Sequence, residues 1–376
     1  MSNVSGEARI SPNIDALRIG EDLADLDDGT TDGYVFDSPA DLEEIAMQRQ
    51  AIWDLLKNLG SHLLREGVNL TKVSLPVKVF EPRSFLQRIT DNWAYIDLLQ
   101  KAVDATDPVT RMQYVVAFVI GGLRRQTSTL KPFNPILGET YQGVYSSGVR
   151  VHAEQISHHP PVSSWQVADP DRKFLFSGSG NWKASARGNS IKGQQAGINR
   201  VSFSNDRSVI TWELPPLLLR GILWGERSLK YSGTISFRDE LNQVECDITI
   251  DGSKQSFLSS LWRGKKGHKD LDQLHGSLRK GGAIVDTMRG SWLTSVEWEK
   301  GGPGGRSLRV WDAAKHPVQA PKPILEPLPS DARFREDLQA LQKGDRDKAQ
   351  EWKSRLEQVQ RRDQALRVAA KQAAGQ

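Results

Sequence analysis

The feature that most constrains the fold is a run of short β-prone segments between about residues 140 and 312. Gly, Asn, Asp or Ser separates most of them at intervals typical of hairpins. No helical pattern interleaves with them, which excludes βαβ units and predicts an antiparallel barrel or sandwich. The segments are TYQGVYSS, RVHAEQIS, KFLFSGSGNWKASA, NRVSFS, SVITWEL, LKYSGTISFR, VECDITI, GSWLTSVEWEK and SLRVWDA.

Helical periodicity flanks this β-rich region on both sides. Two tracts, FLQRITDNWAYIDLLQKAV and VTRMQYVVAFVIGGLRR, precede it, and residues 331–372 return to helical spacing after it. An earlier tract, AIWDLLKNLGSHLLREG, ends at Gly67 and carries one apolar stripe. The stripe consists of Ile52, Leu55, Leu56, Leu59 and Leu63. The fold class expected from these patterns is α+β, mainly β.

The same patterns divide the chain into an acidic tail and one domain. Residues 1–44 hold two arginines against twelve acidic residues and few aromatic ones, so they are expected to be disordered. Residues 45–372 are expected to form a single domain. Its predicted parts are a first helical segment over 47–67, a helical region over 80–126, a barrel over 130–312, an extended Pro-rich connector over 315–330 and C-terminal helices over 331–372.

Charge and cysteine content limit the classes of protein and partner. The net charge is +4, and since residues 1–44 contribute 2 − 12 = −10, the remaining residues carry +14. A basic body suits an anionic surface, either membrane lipid or nucleic acid, although ordinary solubility explains it equally well. Cys246 is the only cysteine, so no internal disulfide forms. The chain shows neither a signal-peptide pattern nor an 18-residue apolar window, and a cytoplasmic location is expected.

The most unusual local sequence is EQISHHPP at 154–161. Neighbouring residues on a regular strand face opposite sides, but Pro160 and Pro161 end the ladder. A turn at this point presents His158 and His159 together, and paired imidazoles can donate hydrogen bonds to a phosphate. The spacing does not fit a helical zinc site, and Ser157 lacks the nucleophile elbow of a serine hydrolase. A surface turn with two solvated histidines stays open as an alternative.

Two further tracts carry polar side chains on rigid elements. In LKPFNPILGETYQG, Lys131 and Asn134 lie on a loop held extended by prolines. In KSRLEQVQR, Lys353, Glu357 and Arg361 are spaced i, i+4 and i+8 and share one face of a helix. Alone, each tract is typical of an ordered loop or of a salt-bridged helix surface.

Together these tracts resemble the oxysterol-binding-protein family. EQISHHPPVSSW is similar to the family's fingerprint. LPVKVFEPRSFLQRI, LKPFNPILGETYQG and DARFREDLQALQKGDRDKAQEWKSRLEQVQRR resemble further blocks in the same order, and the resemblance covers residues 47 to 365. It implies a large incomplete antiparallel β-barrel around an apolar tunnel, with C-terminal helices and an N-terminal lid. The segment 47–67, with its apolar stripe, is then the lid that covers the bound lipid and meets the bilayer when open.

The resemblance also implies a ligand and the residues that bind it. The ligand is phosphatidylinositol 4-phosphate, and Glu357 is expected to orient Lys353 and Arg361 or to accept an inositol hydroxyl. No cofactor, metal or nucleic acid is implied. The implied headgroup-binding residues are Lys131, Asn134, His158, His159, Lys353, Glu357 and Arg361.

A second lipid, a sterol or phosphatidylserine, is expected to compete for the same tunnel. The implied function is therefore non-enzymatic exchange of these lipids between membranes, with transient peripheral binding to an anionic membrane surface. A lipid-gated sensor with little net transfer, and a hydrolase that uses the histidines, are the alternative hypotheses.

Three departures from the family pattern affect these expectations. No pleckstrin-homology domain precedes the lipid-binding region, so the chain resembles a short family member. Leu123 stands where the family has an aromatic residue near the end of the third helix, which weakens the expectation of sterol contacts. DDGTTDGYVFDSPADLEE at 27–44 faintly resembles a motif that docks on endoplasmic-reticulum receptors, and Phe36 and Asp37 match it.

Overall fold

The computed structural model of the chain describes residues 33–59, 68–69, 73–250 and 272–374. Three short 3₁₀ turns cover Val77–Val79, Ile89–Trp93 and Ala332–Phe334. The α-helices in these residues are α1 (Pro39–Leu59), α2 (Phe85–Arg88), α3 (Asp97–Asp104), α4 (Pro108–Arg124), α5 (Glu336–Gln342) and α6 (Arg346–Ala373).

Strands make up most of the remaining described structure. The first ten are β1 (Tyr34–Val35), β2 (Val68–Asn69), β3 (Phe80–Ser84), β4 (Lys131–Phe133), β5 (Thr140–Val144), β6 (Arg150–His158), β7 (Pro161–Ala168), β8 (Phe174–Arg187), β9 (Ser190–Ala196) and β10 (Asn199–Phe203). The next ten are β11 (Val209–Trp212), β12 (Leu217–Arg220), β13 (Ser228–Tyr231), β14 (Gly233–Asp239), β15 (Val244–Ile250), β16 (Gln273–Lys280), β17 (Ala283–Ser291), β18 (Ser295–Lys300), β19 (Arg306–Asp312) and β20 (Lys322–Pro323).

All strands except β3 and β4 belong to one large antiparallel sheet. Pairing runs from β20 through β5, β6, β7 and β8 to β10 and β11, and from there through β14 to β19 in chain order. The long strand β8 also pairs with β9 and β2, and a branch continues from β9 through β12 and β13 to β1. The sheet curls but does not close, which confirms the predicted fold class of a mainly β protein with an incomplete antiparallel barrel.

Helix α4 fills the inside of the curled sheet. Its N-terminus is capped by Asp107, whose carboxylate accepts a hydrogen bond from the Thr110 amide, and Pro108 occupies the first turn. Apolar residues surround the axis, as expected for a helix buried on every side. Gly122 lets the helix approach the turn over Ile89–Trp93, since a Cβ at this position would lie 2.1 Å from the Asn92 carbonyl oxygen.

Two boundaries differ from the sequence-based prediction. The tract FLQRITDNWAYIDLLQKAV is not one helix but α2, a 3₁₀ turn and α3, because the chain turns tightly under α4 at this point. The predicted disordered tail over 1–44 is wrong for residues 33–44, which hold β1 and the start of α1; residues 1–32 lie outside the described part. Strand β1 pairs with β13 and places Phe36 in the core, where it is 3% exposed.

Burial of Phe36 also overturns the expected receptor-docking motif at 27–44. A docking motif must offer its aromatic side chain to a partner, whereas the Phe36 ring packs edge-on against Tyr34 and its amide donates to the Arg227 carbonyl. The connector over 315–330 contributes β20, which pairs with β5. None of the described helices is both long and apolar enough to cross a membrane.

Candidate functional site

A pocket of about 90 Å³ opens where the hairpin between β6 and β7, the loop after β4 and helix α6 meet. The chain brings these elements together from distant positions. Six of the seven residues expected to bind the headgroup line this pocket: Asn134, His158, His159, Lys353, Glu357 and Arg361. The seventh, Lys131, donates hydrogen bonds from its ammonium group to the Asn134 side-chain oxygen and, at 3.0 Å, to the Pro132 carbonyl.

The two histidines lie at the tip of the β6–β7 hairpin. Strand β6 has an irregular register between Gln155 and Ser157 and still pairs at His158 with Pro161. His159 and Pro160 therefore form the turn and Pro161 begins β7, so the expectation that the two prolines end the pairing is wrong. The two imidazole rings are 4.6 Å apart between centroids at 63°. Both therefore face one site, although they are sequence neighbours.

His158 is electrically neutral at pH 7. Burial lowers its pKa to about 4, with a smaller contribution from His159, while Glu357 and a hydrogen bond with the Pro135 carbonyl act in the opposite direction. Its buried Nδ1 atom has no hydrogen-bond partner among the described residues. His158 thus offers the pocket a hydrogen-bonding nitrogen rather than a positive charge.

Helix α6 contributes an ion cluster centred on Glu357. The Lys353 ammonium lies 2.6 Å from Glu357 Oε1, and Arg361 Nη2 lies 3.4 Å from Oε2. Ser74 joins the cluster because its hydroxyl donates to Glu357 Oε2 at 2.7 Å and accepts from Lys353 at 3.1 Å. Glu357 therefore orients both cations, in the arrangement that the spacing predicts.

The Lys131 ammonium is the most perturbed charge at the site. Burial, together with the positive charges of Lys353 and Arg335, lowers its pKa to about 7, although Glu357 acts in the opposite direction. Near neutral pH, Lys131 is therefore partly deprotonated. An anion bound in the pocket would favour its charged form.

Sequence reasoning missed Arg335, which lies under the loop after β4. Its guanidinium donates to the Asn134 carbonyl at 2.8 Å, to Glu139 at 2.7 Å and to both carboxylate oxygens of Asp337. The side chain is 7% exposed, and Glu139 and Asp337 are more deeply buried. Arg335 thus fixes the loop that carries Asn134, and no local pattern pairs it with a loop about 200 residues earlier.

Two aromatic rings, also missed, form the apolar wall of the pocket. The centroids of Phe80 and Phe133 are 4.7 Å apart, and both side chains are buried. The ammonium groups of Lys131 and Lys353 lie over the Phe80 ring at 4.8 Å and 5.4 Å from its centroid. The motif LPVKVFEPRSFLQRI contained Phe80, but only the fold reveals what the ring contacts.

Residues 47–59, the described part of the lid predicted over 47–67, belong to helix α1, which lies against the barrel. Leu56 is buried and packs in a cluster with Ile222 and Leu223, while Ile52 is half-buried between this cluster and the one around Phe80. Leu55 is half-buried. The side chain of Leu59, and Leu63 altogether, lie outside the described residues.

Polar contacts hold the same helix in place. Gln48 donates to the Thr129 carbonyl at 2.9 Å, and Arg49 donates to the Gly221 carbonyl at 2.9 Å. Buried Arg227 donates to Gln48 Oε1 and to the same Gly221 carbonyl. Burial, and then the charge of Arg49, lower the pKa of Arg227 to about 10. Burying the Arg227 guanidinium against carbonyl groups costs stability, whereas Arg49 is only half-buried, so desolvation of Arg227 offsets part of what these hydrogen bonds contribute.

A second cavity, of about 20 Å³, lies between α4 and the inner face of the sheet. Aromatic rings line it, among them Trp93, Trp165 and Trp212, and so does Leu123. The side-chain nitrogens of Trp165, Gln195 and Asn199 are buried there without hydrogen-bond partners among the described residues. In its present shape the cavity holds about one water, so a lipid requires the surrounding side chains or α1 to move.

Comparison with known proteins identifies the chain's relatives. The sequence model of the family described as "Oxysterol-binding protein" matches residues 61–375. Oxysterol-binding protein 9 of Dictyostelium discoideum is 33% identical over 335 residues, which cover 85% of this chain and 76% of that protein. Oxysterol-binding protein-related protein 5 of Mus musculus is 29% identical, over 91% of this chain but only 40% of the mouse protein.

Solved structures share the fold. The Osh1 ORD domain in complex with cholesterol superposes with a TM-score of 0.70 at 24% identity, covering 85% of this chain and 80% of that one. The Osh3 ORD of Saccharomyces cerevisiae in complex with PI(4)P gives a TM-score of 0.64 at 23% identity, covering 84% of each chain. The family match and the shared barrel lead to one conclusion: this chain belongs to the oxysterol-binding protein family.

Proposed function

We propose that the protein is a lipid exchanger that carries phosphatidylinositol 4-phosphate in one direction and a second lipid, a sterol or phosphatidylserine, in the other. It acts at cytosolic membrane surfaces without chemical change to either lipid. The observation that carries the proposal is the convergence of Asn134, His158, His159, Lys353, Glu357 and Arg361 on one pocket. Such a set of donors and cations suits a phosphorylated sugar.

The charges at this pocket support a phosphate ligand over a neutral one. Lys353 and Arg361 contribute two positive charges and Glu357 one negative charge, and Lys131 adds a further positive charge when an anion favours its protonation. The Asn134 amide can donate to the phosphate without adding charge, and the unpartnered Nδ1 of neutral His158 can accept a hydrogen bond from an inositol hydroxyl. Glu357 is also available to accept a hydrogen bond from an inositol hydroxyl.

The interior cavity supports an apolar second ligand with one polar end. Three buried nitrogens around an aromatic cavity, those of Trp165, Gln195 and Asn199, suit a lipid whose hydroxyl or carbonyl group accepts a hydrogen bond. The solved relatives are complexes with cholesterol, ergosterol and PI(4)P, which agrees with a choice between these lipid classes.

Exchange follows if both lipids need the same interior. The cavity is small in the present arrangement, so entry of either lipid requires its lining side chains, or α1 where it packs on Ile222 and Leu223, to move. Loading one lipid then excludes the other, and each membrane exchanges one for the other.

A liposome experiment tests the headgroup assignment. The double variant His158→Ala and His159→Ala should extract phosphatidylinositol 4-phosphate from donor liposomes at least about tenfold less well, because two hydrogen-bonding rings are lost. A matched control replaces His152 and His275, which are exposed on strands β6 and β16, by alanine and should behave as wild type. Equal extraction by the two double variants would refute the assignment.

A second measurement tests exchange itself. Transfer of a labelled sterol or phosphatidylserine to acceptor liposomes should accelerate when the acceptor contains phosphatidylinositol 4-phosphate. Stoichiometric binding of both lipids with no such acceleration would contradict exchange and favour a sensor.

A further inference from the structure

We propose that Phe80 is a positioning residue of the headgroup pocket, whose ring holds the ammonium groups of Lys131 and Lys353 where both can contact one phosphate. The inference rests on the function proposed above and names the side chain that arranges the two lysines for it. Phe80 does not itself bind phosphate.

The geometry joins two chain segments at one ring. Lys131 begins β4 and Lys353 lies on α6, yet their Nζ atoms are 4.8 Å and 5.4 Å from the Phe80 centroid. These distances are within the range at which the face of an aromatic ring attracts a cation. The ring is 5% exposed and lines the pocket.

Packing fixes the orientation of the Phe80 ring. Phe133 contacts it with 4.7 Å between centroids and a 39° tilt, and Val77, Val79 and Ala349 belong to the same buried cluster. A ring held in this way cannot turn aside when the lysines approach. The cluster therefore sets the positions of both ammonium groups before a ligand arrives.

Electrostatics explains why an aromatic ring, rather than a charged side chain, lies against the ammonium groups of Lys131 and Lys353. Lys353 and Arg335 lower the pKa of Lys131 by repulsion, so the lysines do not come together unaided, while Glu357 raises it and pairs with Lys353. A second carboxylate would hold the lysines equally well but would repel the phosphate. The aromatic face attracts both cations, carries no net charge and accepts no strong hydrogen bond, so the N–H groups stay available for the ligand.

The first experiment needs no lipid. The pKa of Lys131 is measured by NMR titration of lysine side chains labelled with ¹³C at Cε, in the wild-type chain and in Phe80→Leu. Wild type should titrate near 7, and the variant about one pH unit lower, because the ammonium loses the aromatic face but stays buried. Phe133→Leu, an equal loss of ring on the neighbouring side chain, should lower the Lys131 pKa less than Phe80→Leu does, because it loosens the Phe80 ring but leaves that ring beside the ammonium.

A second series guards against misfolding of Phe80→Leu. Mono-, di- and trifluorinated phenylalanine at position 80 keeps the shape of the ring and progressively weakens the negative potential of its face. The Lys131 pKa should fall stepwise with fluorination. A pKa that does not respond to fluorination, or that Phe133→Leu lowers as much as Phe80→Leu does, would overturn the proposal.

Lipid binding then separates this proposal from the proposed function. Phe80→Leu should bind liposomes containing phosphatidylinositol 4-phosphate about tenfold more weakly than wild type, with no change on liposomes containing phosphatidylinositol. If wild type itself fails to distinguish these liposomes, the proposed function is wrong, whereas the NMR result still decides the role of Phe80. If wild type distinguishes them and Phe80→Leu does so equally, the positioning role is wrong.

Discussion

Loosening α1 without damaging the barrel is the clearest test of a working lid. Leu56 is 9% exposed and packs against Ile222 and Leu223, in a small cluster apart from the main core. Leu→Ala substitutions in cores cost about 2–5 kcal/mol, and the lower end applies here because the cluster lies at the edge of the barrel. A loss of about 2 kcal/mol raises the open population of α1 by roughly 30-fold.

Hydrogen exchange measured by mass spectrometry reports this opening directly. Amides of α1 in Leu56→Ala should exchange roughly 30-fold faster than in wild type, while those of α4 keep their protection, because local opening leaves the core intact. Leu42→Ala is the matched control, since Leu42 lies on the same helix but is 56% exposed. Unchanged exchange in α1, or an equal increase in α4, would refute the idea that α1 opens separately from the barrel.

Three further predictions concern buried polar groups. Arg335→Met should lower the free energy of unfolding by about 3 kcal/mol, because it leaves Glu139 and Asp337 buried without their partner, and an unchanged denaturation midpoint would contradict this. Binding of phosphatidylinositol 4-phosphate should weaken as pH rises from 6 to 8, because the Lys131 ammonium loses its proton, and with it its positive charge, as pH passes through its pKa of about 7. The variant Lys131→Arg stays charged over this range, so its binding should not depend on pH in this way. If Lys131→Arg retains the pH dependence, Lys131 is not its source. Gln195→Leu should stabilise the lipid-free protein by about 1 kcal/mol, because it removes a buried side-chain nitrogen that has no hydrogen-bond partner among the described residues. A lower melting temperature of the variant would instead show that the Gln195 amide forms a stabilising hydrogen bond.

The sequence predicts those structural features that depend on residues close together in the chain. Alternating residues and turn residues predict the antiparallel strands, and helical spacing predicts that Lys353, Glu357 and Arg361 share one face, as they do. The convergence of these residues with the histidine pair was inferred from family resemblance, because local patterns carry no information on contacts between distant segments.

The features that were missed depend on tertiary contacts. Strand β1 forms in an acidic segment because β13, far along the chain, offers a partner and Phe36 gains burial in the core. Arg335 contacts Asn134 only after the barrel and C-terminal helices have come together. The low pKa of His158 arises from burial in the assembled pocket, which no spacing of residues reveals.

The pairing of Glu357 with both Lys353 and Arg361 bears on which anions the pocket can hold. The pocket carries its own counter-ion, so an arriving anion must compete with a carboxylate that is already in contact. A singly charged anion interacts with the two cations too weakly to compete well with Glu357. A doubly charged phosphate attached to a sugar carries more charge and also forms hydrogen bonds through the sugar hydroxyls. Glu357 thus sets the minimum interaction energy that an anion must gain from Lys353 and Arg361 in order to bind.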